Sequence, residues 1–240
     1  MKRITLFILM VVVALQTANA QQVKNPCGPL TSGPAPAFTA VSTLGTLSFP
    51  DDYFGEWKII FSHPADFTPV CTSEIMALAQ AQEDFEKLST QLIVVSTDGL
   101  NSHIEWVKSI ESIISTGSDS IRIKFPLVAD PDLIISRLYG LLNPDSASRN
   151  DIRGVYFIDP ENQIRAFFHY PVSVGRNIEE IKRTLIALQT EEQHDVYLPA
   201  NWQPGEEVLV KSPATVKEAE KMKNKKGLRE VTWYMWFKKL

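Results

Sequence analysis

Cysteine is nearly missing from this chain: Cys27 and Cys71 are the only two in 240 residues. Two thiols cannot staple a scaffold together, so a disulfide-built fold is excluded. Histidine is almost as scarce. His63, His103, His169 and His194 are scattered without ligand spacing, and with so few cysteines beside them no metal site is implied. Positive charge is not in excess either. With 24 Lys and Arg against 28 Asp and Glu, the formal charge is −4, which leaves no footprint for nucleic acid. Beyond the opening residues, no apolar run reaches the ~20 residues that span a bilayer, so no stable membrane insertion is expected there.

The opening residues differ in kind. Met1-Lys2-Arg3 leads into an apolar block from Ile4 to Leu15 and then into Ala18-Asn19-Ala20, the pattern of a cleavable secretory signal peptide over residues 1–20. The mature chain is then expected to start at Gln21 in an oxidising, secreted or periplasmic space. Residues 21–36, rich in Pro, Gly, Ser and Thr, read as an extended arm. What remains suits one large domain, or one domain with an appendage.

The most informative stretch is His63-Pro64-Ala65-Asp66-Phe67-Thr68-Pro69-Val70-Cys71-Thr72-Ser73-Glu74. Before it, Trp57 to Ser62 reads as a short buried strand. After it, Ile75, Leu78, Ala79 and Phe85 recur at helical spacing. Thr68 suits the N-cap and Pro69 the first helical position, so Cys71 falls in the first turn, among unpaired backbone N–H groups. Such a place favours the thiolate and can bring a cysteine to roughly 3.5–7.5. The plainer alternative is that Cys71 is a small buried hydrophobe.

Further along, Gln91 to Thr97 reads as a buried central strand. Ser102 to Ile114 reads as a helix with Ile104, Val107 and Ile110 on one side and a start signal in Asn101, Ser102 and Glu105. Phe125 to Ala129 is a short strand, and Asp132 is expected to cap a helix through Leu138. Gly154–Ile158 and Gln163–Phe168 flank Asp159-Pro160-Glu161-Asn162, a turn sequence that makes them a hairpin. Asn177 to Gln189 is an amphipathic helix. This order implies a mixed α/β sheet with helices on both faces. From Asp195 the character changes to loop, a short apolar Val208-Leu209-Val210, a charged helical stretch from Lys217 to Lys226, and an aromatic strand from Val231 to Phe237 placed at a core or subunit contact.

Pro64-x-x-x-Thr68-x-x-Cys71 matches the active-site signature of the peroxiredoxins, and the longer string from His63 to Thr72 resembles their 1-Cys branch. The resemblance runs from about Ala37 to Val210 and more weakly to the C-terminus. It implies a thioredoxin-like domain over residues 37–194 and a C-terminal 1-Cys-type domain over 195–240. It also implies a peroxidase that needs no cofactor, takes a peroxide and an external thiol reductant, and forms homodimers or rings of dimers. By the same resemblance Cys71 is the nucleophile, Thr68 and Arg153 bind thiolate and peroxide, and Pro64 shields the sulfur. Val70 adds a backbone donor, Glu74 and Arg176 orient Arg153, and His63 matches a family position. Some 1-Cys relatives carry a phospholipase activity through a His, Ser and Asp set, but Pro50 and Glu56 stand where the histidine and serine would be.

Cys27 lies in the arm with no motif around it. It reads as an incidental thiol or as one that resolves an oxidised Cys71. Two other functions compete with this one. An envelope thiol–disulfide oxidoreductase would want a second cysteine close to Cys71, where Thr72, Ser73 and Glu74 stand instead. A non-catalytic, chaperone-like assembly would give no reason for Thr68, Cys71 and Arg153 to be kept together.

Overall fold

The structure is a computed structural model that describes residues 33–115, 121–142 and 150–240. The leader reading for residues 1–20, most of the arm, and Cys27 lie outside the described residues. Seven strands form one mixed sheet: β1 (Phe38–Ser42), β2 (Gly45–Phe49), β3 (Trp57–Ser62), β4 (Thr90–Ser96), β5 (Leu127–Ala129), β6 (Arg153–Ile158) and β7 (Ile164–Tyr170). Their order is β2-β1-β5-β4-β3-β6-β7. The three central strands, β3, β4 and β5, run parallel, while β6 is antiparallel to β3 and β7 antiparallel to β6.

Because β3 and β4 are covered on both sides, they are continuous apolar runs rather than alternating ones. Alternate residues go to opposite cores. Ile59, Phe61, Leu92, Val94, Val155 and Phe157 meet side chains from α1 (Pro69–Lys87), α2 (Leu100–Ile114) and α4 (Ile178–His194). Ile60, Ile93, Val95, Tyr156 and Ile158 meet Phe38, Phe49 and the short α3 (Ile134–Leu138). Each fully buried aliphatic side chain contributes about 1.5–3 kcal/mol, so the sheet is the rigid frame on which the loops at its ends are held. The mixed α/β fold with helices on both faces is as expected, and the β6–β7 hairpin turns at Asp159 to Gln163.

Three local expectations fail for physical reasons. Helix α2 begins at Leu100, with Gly99 at the N-cap and no side-chain cap, so Asn101, Ser102 and Glu105 lie inside it. Of the expected side, Ile110 is buried and Val107 packs on the core, but Ile104 yields its place to His103 and Trp106, which face the site. Helix α3 is capped by Asp130, not Asp132. The Asp130 carboxylate accepts from the backbone N–H groups of Ile134, Ile135 and Ser136. The chain reaches it by a left-handed residue, Leu133, at φ +60°.

After α4 the chain builds a separate three-stranded sheet, β8 (Val208–Leu209), β10 (Met235–Lys238) and β9 (Leu228–Thr232), with α5 (Val216–Lys223) between β8 and β9 in the chain. The aromatic segment is therefore not one strand. It folds back at Trp233 and Tyr234, whose rings stay exposed while Trp236 is buried. Val196, Trp202 and Val208 pack against Ile186 and Ala187 of α4, and Arg183 donates to the Trp202 carbonyl at 3.0 Å. No helix among the described residues is long and apolar enough to cross a membrane.

Candidate active site

The C-terminal ends of the parallel strands and the first turn of α1 meet at Cys71. The backbone reverses there through Phe67, a non-glycine residue held in the left-handed region at φ +54°. Conformations of that kind persist where the surroundings impose them. Thr68 follows as the N-cap residue and Pro69 as the first helical residue, as the sequence predicts. Thr68 does not cap with its side chain, however. Its hydroxyl donates instead to the Ala65 carbonyl at 3.0 Å, which leaves the oxygen lone pairs free. Val70 and Cys71 have first-turn N–H groups with no partner inside the helix.

Cys71 is fully buried. Arg153 Nη1 lies 3.3 Å from its Sγ. The same nitrogen donates to Glu74 Oε2 at 2.7 Å, and Nε donates to the Val172 carbonyl at 2.8 Å, so the guanidinium is held from two sides. Glu74 is in turn gripped by Arg176. Its Oε1 accepts from the Arg176 backbone N–H at 2.8 Å and from Nε at 2.9 Å, while Oε2 accepts from Nη2 at 2.8 Å. Arg176 Nη1 reaches the carbonyls of Ser62 at 2.9 Å and Gly154 at 2.8 Å, and its guanidinium lies over the Phe61 ring. Two buried guanidiniums and one buried carboxylate leave one positive charge beside Sγ. A buried charge set of this kind holds only when every member is paired.

Pro64 is buried and Val70 is half-buried. Gly175 lies against Val70, where an added Cβ would stand 3.4 Å from Val70 Cγ1. His63 comes close through a second network. Its Nε2 donates to Asp66 Oδ1 at 2.9 Å, and His103 Nδ1 donates to Asp66 Oδ2 at 2.8 Å. Burial resists the ionisation of Asp66, but the hydrogen bonds from His103 and His63 outweigh it and hold the carboxyl well below the usual carboxylate range. Burial pushes the His63 imidazole down, against the pull of Asp66, and its Nδ1 has no hydrogen-bond partner among the described residues. Trp106 lies 5.0 Å from the His63 ring and donates from Nε1 to the Thr72 hydroxyl at 3.2 Å.

The sequence brings Cys71, Thr68, Arg153, Glu74, Arg176, Pro64, Val70 and His63 to this one region. It did not announce Asp66, His103, Ser62 or the Val172 carbonyl. Only His63-x-x-Asp66 carried a signal in its spacing; the others meet across long sequence separations. His63, Asp66 and His103 offer ligand atoms within 4.8 Å of one another. Those atoms already hydrogen-bond one another, so a metal would have to displace the bonds that hold them. Asp159, Glu161 and Glu192 form a second acidic group, where Asp159 is already paired with Arg165.

A cysteine sulfur against a guanidinium, at a helix start with a threonine hydroxyl one turn before it, is an arrangement suited to attack on an electrophile that develops negative charge as it breaks. The AhpC/TSA family model matches residues 32–167, and the model for the C-terminal domain of 1-Cys peroxiredoxin matches residues 187–226. The chain belongs to the peroxiredoxin family, in its 1-Cys branch. A peroxiredoxin of Methanosarcina mazei is 46% identical over 214 residues, covering 88% of this chain and 98% of that one. Peroxiredoxin 2 of Caldanaerobacter subterraneus is 40% identical, covering 94% and 100%. Among solved structures, the yeast mitochondrial 1-Cys peroxiredoxin superposes with a TM-score of 0.78 at 33% identity, covering 88% of this chain and 100% of that one. Peroxiredoxin 6 of Arenicola marina, solved as a cysteine-to-serine mutant, superposes with a TM-score of 0.77 at 30% identity, covering 88% and 98%. Like other peroxiredoxins, the protein is a thiol-dependent peroxidase. It takes a peroxide and is reset by a thiol reductant.

Proposed function

We propose that Cys71 is the residue that attacks the peroxide, with Arg153 and Thr68 as its partners. The observation that carries this reading is Arg153 Nη1 at 3.3 Å from Sγ while Glu74 and the Val172 carbonyl hold the same guanidinium. The Cys71 thiolate forms a bond to one peroxide oxygen as the O–O bond breaks. The other oxygen leaves with the electron pair as hydroxide or alkoxide and takes a proton from solvent. Charge grows on both oxygens during the transfer, and donors already aimed at it stabilise the transition state without reorganising. Arg153 and the N–H groups of Val70 and Cys71 are those donors. Thr68, whose own hydrogen goes to Ala65, accepts the peroxide's hydroxyl hydrogen. Pro64 excludes solvent from the sulfur, Glu74 and Arg176 orient Arg153, and His63 holds the neighbouring turn through Asp66.

The product is a Cys71 sulfenic acid. Two external thiols return it to the thiol, with release of water and a disulfide. The solved structure of the yeast mitochondrial relative concerns thiol resolution via glutathione and thioredoxin systems, and a reductant of that class is the reading for this protein. The leader pattern supports a secreted or periplasmic site of action, where small thiols are scarce and Cys27 would be the alternative resolving thiol. A homodimer, or a ring of dimers, is supported by the outer edge of β7, which no other described strand of the sheet covers, and by the exposed Trp233 and Tyr234.

The test is intact mass after one equivalent of peroxide, with and without a sulfenic-acid trap, in the unaltered protein, Cys71→Ser and Cys27→Ser. One added oxygen that is trapped only when Cys71 is present supports the assignment, and turnover retained in Cys71→Ser sinks it. A Cys27–Cys71 disulfide supports the resolving role. A stable Cys71 sulfenic acid beside a free Cys27 thiol leaves the external reductant alone.

A further inference from the structure

Ser62 is the last residue of β3, fully buried, and takes no part in the chemistry above. The β3–β6 ladder stops one residue short of it, at Phe61 opposite Val155. Where the ladder ends, the Ser62 hydroxyl takes its place. Oγ donates to the Ile152 carbonyl at 2.6 Å and accepts from the Gly154 N–H at 2.9 Å. Those two backbone groups belong to the residues immediately before and after Arg153. One side-chain oxygen therefore pins the chain on both sides of the arginine that faces Cys71.

The Gly154 N–H also reaches the Ile152 carbonyl directly at 3.1 Å, so the Ser62 hydroxyl braces a tight turn around Arg153 rather than closing it alone. Gly154 cannot carry a side chain of its own, because a Cβ there would stand 2.6 Å from Leu141 Cδ2 and 3.0 Å from Ser62 Oγ. The Ser62 carbonyl is engaged by Arg176 Nη1, which also binds the Gly154 carbonyl, so backbone and side chain of Ser62 both lead to the charged cluster. Arg153 stands at the first position of β6, where a strand is otherwise free to fray. A displacement of about 1 Å between reacting groups is enough to cost on the order of 10²-fold in rate.

We propose that Ser62 is a positioning residue for the peroxidase reaction, setting through its hydroxyl the backbone of Arg153 and hence the place of the guanidinium at the Cys71 sulfur. The inference rests on the reading that Arg153 acts on Cys71.

The experiment is a double-mutant cycle read by rapid mixing with hydrogen peroxide, following the second-order rate constant for Cys71 oxidation against pH. Ser62→Ala is expected to lower that rate constant by about tenfold or more and to move the pH–rate profile to higher pH. Ser62→Thr, which keeps the hydroxyl, is expected to restore both. In the Arg153→Met background, Ser62→Ala is expected to cost almost nothing further. Ser42→Ala, a buried serine whose hydroxyl donates to the Gly45 carbonyl in the distant β1–β2 turn, is the control for a lost hydrogen bond alone. An equal loss in both backgrounds, or an unchanged rate and profile in folded Ser62→Ala, overturns the proposal. If Ser62→Ala does not fold, Ser62→Thr decides. A rate and profile like those of the unaltered protein support the proposal, and a loss as large as that of Arg153→Met overturns it. Should Arg153→Met itself keep the full rate, the reading of Arg153 fails, and that failure is visible separately in the same cycle.

Discussion

Asp151 and Arg153 are two residues apart, both buried, and treated in opposite ways. Around Arg153 every charge is answered: the guanidinium meets Glu74, the Val172 carbonyl and the Cys71 sulfur, and Glu74 meets Arg176 through both of its oxygens. Asp151 is only 1% exposed, and neither of its carboxylate oxygens has a hydrogen-bond partner among the described residues. The neighbouring Ser136 hydroxyl is spent on Asp130 at 2.6 Å. Burial is the larger force on Asp151, and the Asp130 and Asp98 carboxylates add to it, pushing its pKa up to about 7 against the pull of Ser136. The first cluster holds charge in place, whereas the second holds a carboxyl that keeps its proton up to about neutral pH. Pairing, not depth, decides whether a buried group stays ionised.

Removing one member from the paired cluster should have the largest effect. Glu74→Gln leaves Arg153 and Arg176 facing each other without their shared anion, and we expect a loss of about 3–5 kcal/mol in unfolding free energy by denaturant titration. A loss below about 1 kcal/mol would mean that solvent reaches the cluster after all.

The unpaired carboxyl makes the opposite kind of prediction. The pKa of Asp151 in the folded protein lies above the ordinary value of 3.8, so between these values the folded state binds more proton than the unfolded state, and stability must fall as pH rises. From pH 5 to pH 8 the part due to Asp151 is about 3 kcal/mol. Asp151→Asn should flatten that slope, making the variant less sensitive to alkali than the unaltered protein in thermal melts across the same range. Identical slopes in the two proteins would show that Asp151 is partnered or hydrated in solution. Arg153→Met ranks next. It keeps much of the length while removing charge and donors, so the rate of Cys71 oxidation should fall by about 10²-fold with the fold retained.

The contrast also marks what the sequence could disclose. The strands and long helices were legible because their apolar runs and 3.6-residue periodicity are local, and the site was legible because Pro64, Thr68 and Cys71 sit at fixed spacing on one turn. Arg153, Glu74 and Arg176 came only through the resemblance, since residues so far apart in the chain share no local pattern. Asp66, His103 and Ser62 act through hydrogen bonds to partners far along the chain or to backbone groups, and a backbone carbonyl such as that of Val172 carries no signature at all. The cap of α3 was misplaced for a related reason. Asp130 reaches forward over the left-handed Leu133, a path that the nearer Asp132 concealed.

The smallest effect expected on stability belongs to Thr68, and it separates two roles that the sequence allowed to coexist. A threonine that caps a helix with its side chain costs about 1 kcal/mol when the hydroxyl is removed. Here the hydroxyl donates to the Ala65 carbonyl at 3.0 Å and accepts nothing from the helix, so the first turn of α1 does not depend on it for an acceptor. Thr68→Val preserves the volume and deletes only the hydroxyl function. Its cost in unfolding free energy should stay at or below about 1 kcal/mol, the ordinary worth of one hydrogen bond, while peroxide reactivity falls by about tenfold as the acceptor for the peroxide's hydrogen disappears. Denaturant titration and rapid-mixing kinetics on the same samples read the two effects independently. A stability loss near ~2 kcal/mol, the upper end for a lost cap, with an unchanged oxidation rate would return Thr68 to a purely structural cap and leave Arg153 and the backbone N–H groups as the whole of the peroxide site.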